Sequence, residues 1–202
     1  MALDSLARGA AMGFCIAAPV GPIGLLCIRR TLAEGRAAGF VSGLGAATAD
    51  ALYGCVAGLG LTAISGLLVG LQGWLKLGGG IFLVYLGWRT TKMATASEQP
   101  AATGGRLRQA YLATILLTLA NPMTILSFAA VLAGLGAAGG GRSGALALVA
   151  GVFLGSAAWW LLLSLAAGAF RERLGRPALA WVNRASGAAL AGFGLLSLWS
   201  LR

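Results

Sequence analysis

The chain contains no histidine and only five carboxylates in 202 residues. Four of them, Asp4, Glu34, Glu98 and Glu172, lie near a terminus or in charged, loop-like stretches. Hydrolase or transferase chemistry needs a positioned acid–base pair, and none can be drawn from this set, so the chain is not expected to be an enzyme. Divalent metals want several imidazoles, thiolates or carboxylates, so no metal site is expected, and nothing calls for a cofactor. Cysteine is scarce too. Cys15, Cys27 and Cys55 are odd in number, form no C-x-x-C and leave the second half without a thiol. That excludes a thiol–disulfide electron carrier, and the three read as small packing residues. Only 10% of residues are charged, against about 25% in soluble domains.

What is present is apolar: 58% of residues are hydrophobic and the mean hydropathy is +0.86. Apolar stretches long enough to cross a bilayer fall at 6–28, 38–64, 66–88, 109–135, 145–170 and 178–201. Unpaired backbone groups are too costly in lipid, so each must cross as a helix. The expected fold is an all-α integral membrane protein of six transmembrane helices, with the second and third divided at Ser65-Gly66. The net charge of +10 comes without a nucleic-acid motif, and its placement between apolar segments points to lipid headgroups.

Basic residues also set the orientation. Arg29, Arg30 and Arg36 follow the first segment, Arg89, Lys92, Arg106 and Arg108 the third, and Arg171, Arg173 and Arg176 the fifth. The alternate loops are nearly bare apart from Lys76 and Arg142. Cytoplasmic loops carry the excess of Lys and Arg, so both termini are expected outside. The first segment is read as a real span, because a cleavable signal carries its positive charge in front rather than behind. Residues 1–202 form one domain, in which a polar, small-residue linker within 90–108 separates repeat 1 (1–89) from repeat 2 (109–202).

The halves match at consistent offsets. Gly43, Thr48 and Asp50 stand 108 residues before Gly151, Ser156 and Ala158, and Lys76, Gly79 and Tyr85 the same 108 before Arg184, Gly187 and Phe193. Gly21-Pro22 stands 100 before Asn121-Pro122. Three spans per half is odd, so the second half enters the membrane inverted, a plan that puts substrate sites at the repeat interface. Proline lacks an N–H and pushes its predecessor out of helical dihedrals. Pro19, Gly21 and Pro22 should therefore break helix 1, and Asn121 with Pro122 should break helix 4. Half-helices starting at Pro22 and Pro122 would aim free N–H groups inward from opposite sides, at an anionic group.

Asp50 is the only acid inside a long apolar segment, about 20 Å into helix 2 at 1.5 Å per residue. A carboxylate there costs about 2.5 to 3.5 kcal/mol on insertion scales. A proton and a substrate ammonium can compete for it, which suffices for antiport. Thr48, Ser156 and Tyr53 are candidate polar contacts, and Trp159 with Trp160, deep in the fifth segment, could stack on substrate. One acid with two helix N-termini fits a cargo bearing one positive and one negative charge better than one bearing two positive charges. Gly39-xxx-Gly43, Gly54-xxx-Gly58, Gly66-xxx-Gly70 and Gly151-xxx-Gly155 allow close packing, within one chain or in a homo-oligomer.

The run APVGPIGLLCIRRTLAEGRAAGFVSGLGAATADALYG (residues 18–54) resembles the LysE/RhtB family of bacterial amino-acid exporters. It carries a version of that family's Pro-Gly-Pro motif, a Gly-Arg-xx-Gly turn and an acidic second helix. LKLGGGIFLVYLGWR (75–89), LANPMTILSF (119–128), Trp159-Trp160 and WVNRASG (181–187) extend the likeness over the chain. One departure is Val20-Gly21-Pro22, where the first proline is displaced to Pro19. The resemblance implies six spans in a bacterial inner membrane and amino-acid export driven by protons. It does not fix the substrate, and a metal cation or another small metabolite is the alternative cargo.

Overall fold

The computed structural model describes residues 2–19, 21–58, 62–92, 104–121, 124, 127–128, 141–171 and 176–201. Among them every regular element is a helix: α1 (Ala2–Ala17), α2 (Pro22–Glu34), α3 (Arg36–Gly58), α4 (Thr62–Lys92), α5 (Gly104–Leu119), α6 (Gly141–Arg171) and α7 (Arg176–Trp199). Val20, Pro122 and residues 93–103 lie outside the described residues.

The first apolar segment is two helices. Helix α1 stops at Ala17 ahead of Pro19, and Pro22, whose missing N–H costs nothing at a first helical position, opens α2. The two are bent by 80° and have the length and hydropathy of one span only when taken together. Helix α6 qualifies alone, with a mean hydropathy of 2.1, and its 31 residues extend about 46 Å at 1.5 Å per residue.

Several expected boundaries move. Ser65 and Gly66 lie within α4, so the second and third segments are not divided there. The linker is shorter at both ends, because α4 continues through Lys92 and α5 begins at Gly104. The larger correction concerns Arg29 and Arg30, expected in a cytoplasmic loop. Helix α2 runs on to Glu34 and carries both into the bundle, 3% and 8% exposed. Arg30 Nη1 donates to Ser42 Oγ at 2.7 Å, to the Ala110 carbonyl at 3.1 Å and to Thr114 Oγ1 at 3.1 Å, tying α2 to α3 and α5. The chain then reverses at Gly35, whose φ of +103° a side chain would strain.

Small residues set the packing. Gly9 and Gly13 of α1 leave no room for a Cβ against the backbone of Leu148 and Val152, and Gly151 and Gly155 of α6 leave none against Leu6 and Ala10. Gly80 and Gly87 of α4 meet Gly194 and Gly187 of α7 in the same way. Helix α3 packs on α5 and α6, and α2 lies among α3, α6 and α7. The outer faces are apolar: Ile81 and Phe82 on α4, Leu154, Leu161 and Leu162 on α6 and Leu195 on α7 are all exposed. Such a surface suits hydrocarbon and not water. Exposed Trp74 and Trp88 on α4 lie about 21 Å apart, and exposed Trp181 and Trp199 on α7 about 27 Å, at 1.5 Å per residue.

Candidate functional site

Helix breaks leave backbone groups without helical partners, and two breaks meet in the bundle. At the first, Gly21 caps α2 with extended backbone and no side-chain hydrogen bond, so Ile23 and Gly24 present amides no side chain caps. At the second, α5 ends at Leu119, where the Tyr53 hydroxyl donates to the Leu119 carbonyl at 2.7 Å. Asn121 follows, its Nδ2 donating to Thr124 Oγ1 at 3.1 Å.

Both breaks line a cavity of about 580 Å³, within the range of small-molecule sites. Pro19, Gly21, Pro22, Ala120, Asn121 and Thr124 contribute from the breaks; Lys76, Gly79 and Leu83 from α4; Phe193, Leu196 and Ser197 from α7. Ile16, Pro19, Gly21, Ile23, Asn121 and Thr124 also line a second recess of about 40 Å³, where Asp50 is found with Thr118 and Trp160. The two spaces adjoin through those shared walls.

Asp50 is 3% exposed. Its Oδ2 accepts from Ser156 Oγ at 2.7 Å, and Ser156 Oγ accepts from Trp160 Nε1 at 3.1 Å. Trp160 fits because Gly43 lacks a side chain: a Cβ there would collide with Trp160 Cβ. Among the described residues no group of three His, Cys, Asp or Glu comes together.

The structure thus gathers Asp50, Ser156, Pro19, Gly21, Pro22 and Asn121 around adjoining spaces. Tyr53 is one step removed: it caps the α5 break and stacks on Phe128 with ring centroids 5.4 Å apart. Two expected contacts are elsewhere. Thr48 lies at the depth of Asp50, but two residues along a helix is about 200° around it, and its Oγ1 pairs with Tyr111 Oη at 2.8 Å. Trp159 packs edge-on against Phe14, 5.3 Å between centroids, and lines neither space. Its neighbour Trp160 takes the place by the carboxylate. Pro122 lies outside the described residues.

Three residues of the site were not foreseen. Thr118 and Thr124 flank the second break, with nothing in the sequence to separate them from other threonines. Lys76 falls within the 66–88 segment although its charge is grouped with the loop residues, and it stands inside α4. The reasoning that singled out Asp50, a lone charge in an apolar segment, applies equally to it.

The family model of LysE-type translocators matches residues 14–200. Among curated proteins the chain is similar to "Putative amino acid efflux protein YcgF" of Bacillus subtilis (strain 168), 26% identical over 189 residues that cover 91% of this chain and 90% of that protein. No solved structure matches it.

Proposed function

This chain belongs to the LysE-type translocator family, and we propose that it exports amino acids from the cytoplasm in exchange for protons. As a member of that family it is a multi-pass membrane transporter, not an enzyme. The cargo class follows the Bacillus subtilis relative, which is named as an amino acid efflux protein. The observation that carries the mechanism is the burial of Asp50 beside the two helix breaks, in a recess that adjoins a substrate-sized cavity.

In this reading the carboxylate holds either a proton or the substrate ammonium. Ser156 and Trp160 orient it through their hydrogen bonds. The substrate carboxylate is received by the uncapped amides at the start of α2, where the helix dipole favours negative charge. Pro22 keeps that terminus from fusing with α1. A second N-terminus beginning at Pro122 would complete the site from the other side.

Helix pairing supports the inverted repeat. Exchanging the halves turns the α1–α6 contact into the α5–α3 contact, and maps α3–α6 and α4–α7 onto themselves; all four are major packings of the bundle. Asp50 sits on the self-mapped α3–α6 pair, where an axis relating the halves would pass. Cytoplasmic placement of the basic linkers, in a bacterial inner membrane, completes the reading.

The test is efflux from proteoliposomes loaded with labelled amino acids under an imposed pH gradient. Accelerated efflux of at least one amino acid, abolished by collapsing the gradient, is the expected result. Vesicles that release no amino acid faster than protein-free controls would overturn the proposal.

A further inference from the structure

Among the described residues Lys76 is the one charged side chain lining the larger cavity, and the mechanism above leaves it unused. It shares a helical face with Gly79 and Leu83, three and seven positions on, which line the same space. Gly79 approaches Ala120 so closely that a Cβ would lie 2.7 Å from the Ala120 methyl, which holds this face of α4 against the second break. The Lys76 carbonyl accepts from Ser197 Oγ at 3.3 Å, fixing the backbone to α7. Among the described residues no carboxylate pairs with the Lys76 ammonium. Arg184, 108 residues later, is exposed and lines neither space, so a charge at this repeat position is not in itself a cavity charge.

Among the described residues the adjoining spaces therefore hold one carboxylate, Asp50 in the recess, and one cationic residue, Lys76 on the wall of the wider cavity. The rest of the wider lining is uncharged: apolar residues such as Ile23, Leu83 and Phe193, with the neutral polar groups of Asn121, Thr124, Ser127 and Ser197. A zwitterion with an uncharged side chain matches all three features. A side chain bearing a second positive charge would meet a like charge on the wall and, among the described residues, no second carboxylate to receive it.

We propose that Lys76 is the charge filter of this transporter: its ammonium draws the substrate carboxylate and excludes cationic side chains, so amino acids with uncharged side chains are carried and dibasic ones rejected. Pro22 and Ile23 face the same cavity, so the carboxylate can be shared between the ammonium and the amides of α2. The filter rests on the export reading above.

The experiment compares labelled leucine and labelled lysine efflux from proteoliposomes holding wild type, Lys76→Arg, Lys76→Gln or Lys76→Glu. Wild type and Lys76→Arg are expected to favour leucine. Lys76→Gln should narrow the leucine-to-lysine ratio by about tenfold, the effect of some 1.4 kcal/mol, and Lys76→Glu should narrow it further. A general loss of structure would slow both substrates together, so the ratio isolates the filter. A wild type that prefers lysine, or a ratio unmoved in the Gln and Glu variants while leucine export persists, overturns the filter and leaves the export reading standing. A wild type that exports neither these nor any other amino acid removes both.

Discussion

The Ser156 hydroxyl donates a 2.7 Å hydrogen bond to Asp50 Oδ2, joining α6 to α3 between residues 106 apart in sequence. The donor is itself held, since Trp160 Nε1 donates to the same Ser156 oxygen. The glycine opposite, Gly43, is the space in which the indole stands. Two side chains and one absent side chain thus fix the direction of a carboxylate that borders the recess between the helix breaks. In the reading proposed above, this buried carboxylate on the recess exchanges its proton for the substrate ammonium.

Asp50→Asn preserves shape and removes the charge. It is expected to abolish pH-gradient-driven efflux while leaving insertion and detergent-extracted folding intact. Ser156→Ala removes the donor and should lower the rate by about ten- to a hundredfold, the scale of one hydrogen bond to a charged group at about 1.5–3 kcal/mol. Efflux rates in matched vesicle preparations measure both. Wild-type gradient dependence in Asp50→Asn would rule out this carboxylate as the coupling group.

Pro22→Ala restores an N–H and relaxes the constraint on the residue before it. The break between α1 and α2 should then shorten, drawing in the amides that face the cavity. Substrate affinity is expected to fall by an order of magnitude or more, the scale set by hydrogen bonds to a charged carboxylate, with little change in thermal midpoint. Pro122→Ala is the matching change at the second break. Normal binding and export in both variants would make the prolines simple kinks.

Arg30 yields a contrast between two substitutions. Its three acceptors keep other partners when it is lost: Ser42 Oγ still bonds the Ala38 carbonyl, and Thr114 Oγ1 still bonds Ala110. Arg30→Met fills similar volume, leaves no acceptor orphaned and removes a buried charge, so stability should change by less than about 1.5 kcal/mol or rise. Arg30→Ala leaves a void and should cost about 2–5 kcal/mol. Thermal unfolding in detergent separates the two. Equal, large losses would mean that the charge, and not its volume, holds α2 in place.

Orientation can be read with single cysteines in a chain whose Cys15, Cys27 and Cys55 are replaced by serine. Lys92→Cys and Ser143→Cys both fall at exposed positions. The first should be labelled by a membrane-impermeant maleimide only after the inner face is opened, the second in intact cells. Labelling of both from one side would place an even number of crossings between them and remove the inverted-repeat arrangement.

Much of this molecule is legible in its sequence because the relevant physics is local. Hydropathy marks apolar segments whatever they pack against, proline breaks a helix wherever it stands, and a carboxylate in an apolar run is costly in any fold. Those rules are enough to find the break between α1 and α2, the end of α5 before Asn121 and the lone carboxylate, Asp50, that the fold buries beside both breaks. Tertiary structure decided which face each residue presents and what stands opposite. Thr48 and Asp50 share a depth, yet the helical rotation between them sends one to Tyr111 and the other to the recess. Trp160 and not Trp159 reaches Ser156, because i and i+4 share a face and Gly43 is empty across the interface. Arg29 and Arg30 look like a loop on hydropathy, but buried hydroxyl and carbonyl acceptors on α3 and α5 let α2 carry Arg30 inward, and no window of α2 alone contains those acceptors. Lys76 is a charge in an apolar run that sequence places only along its helix; the cavity that gives it meaning forms where four segments distant in the chain converge.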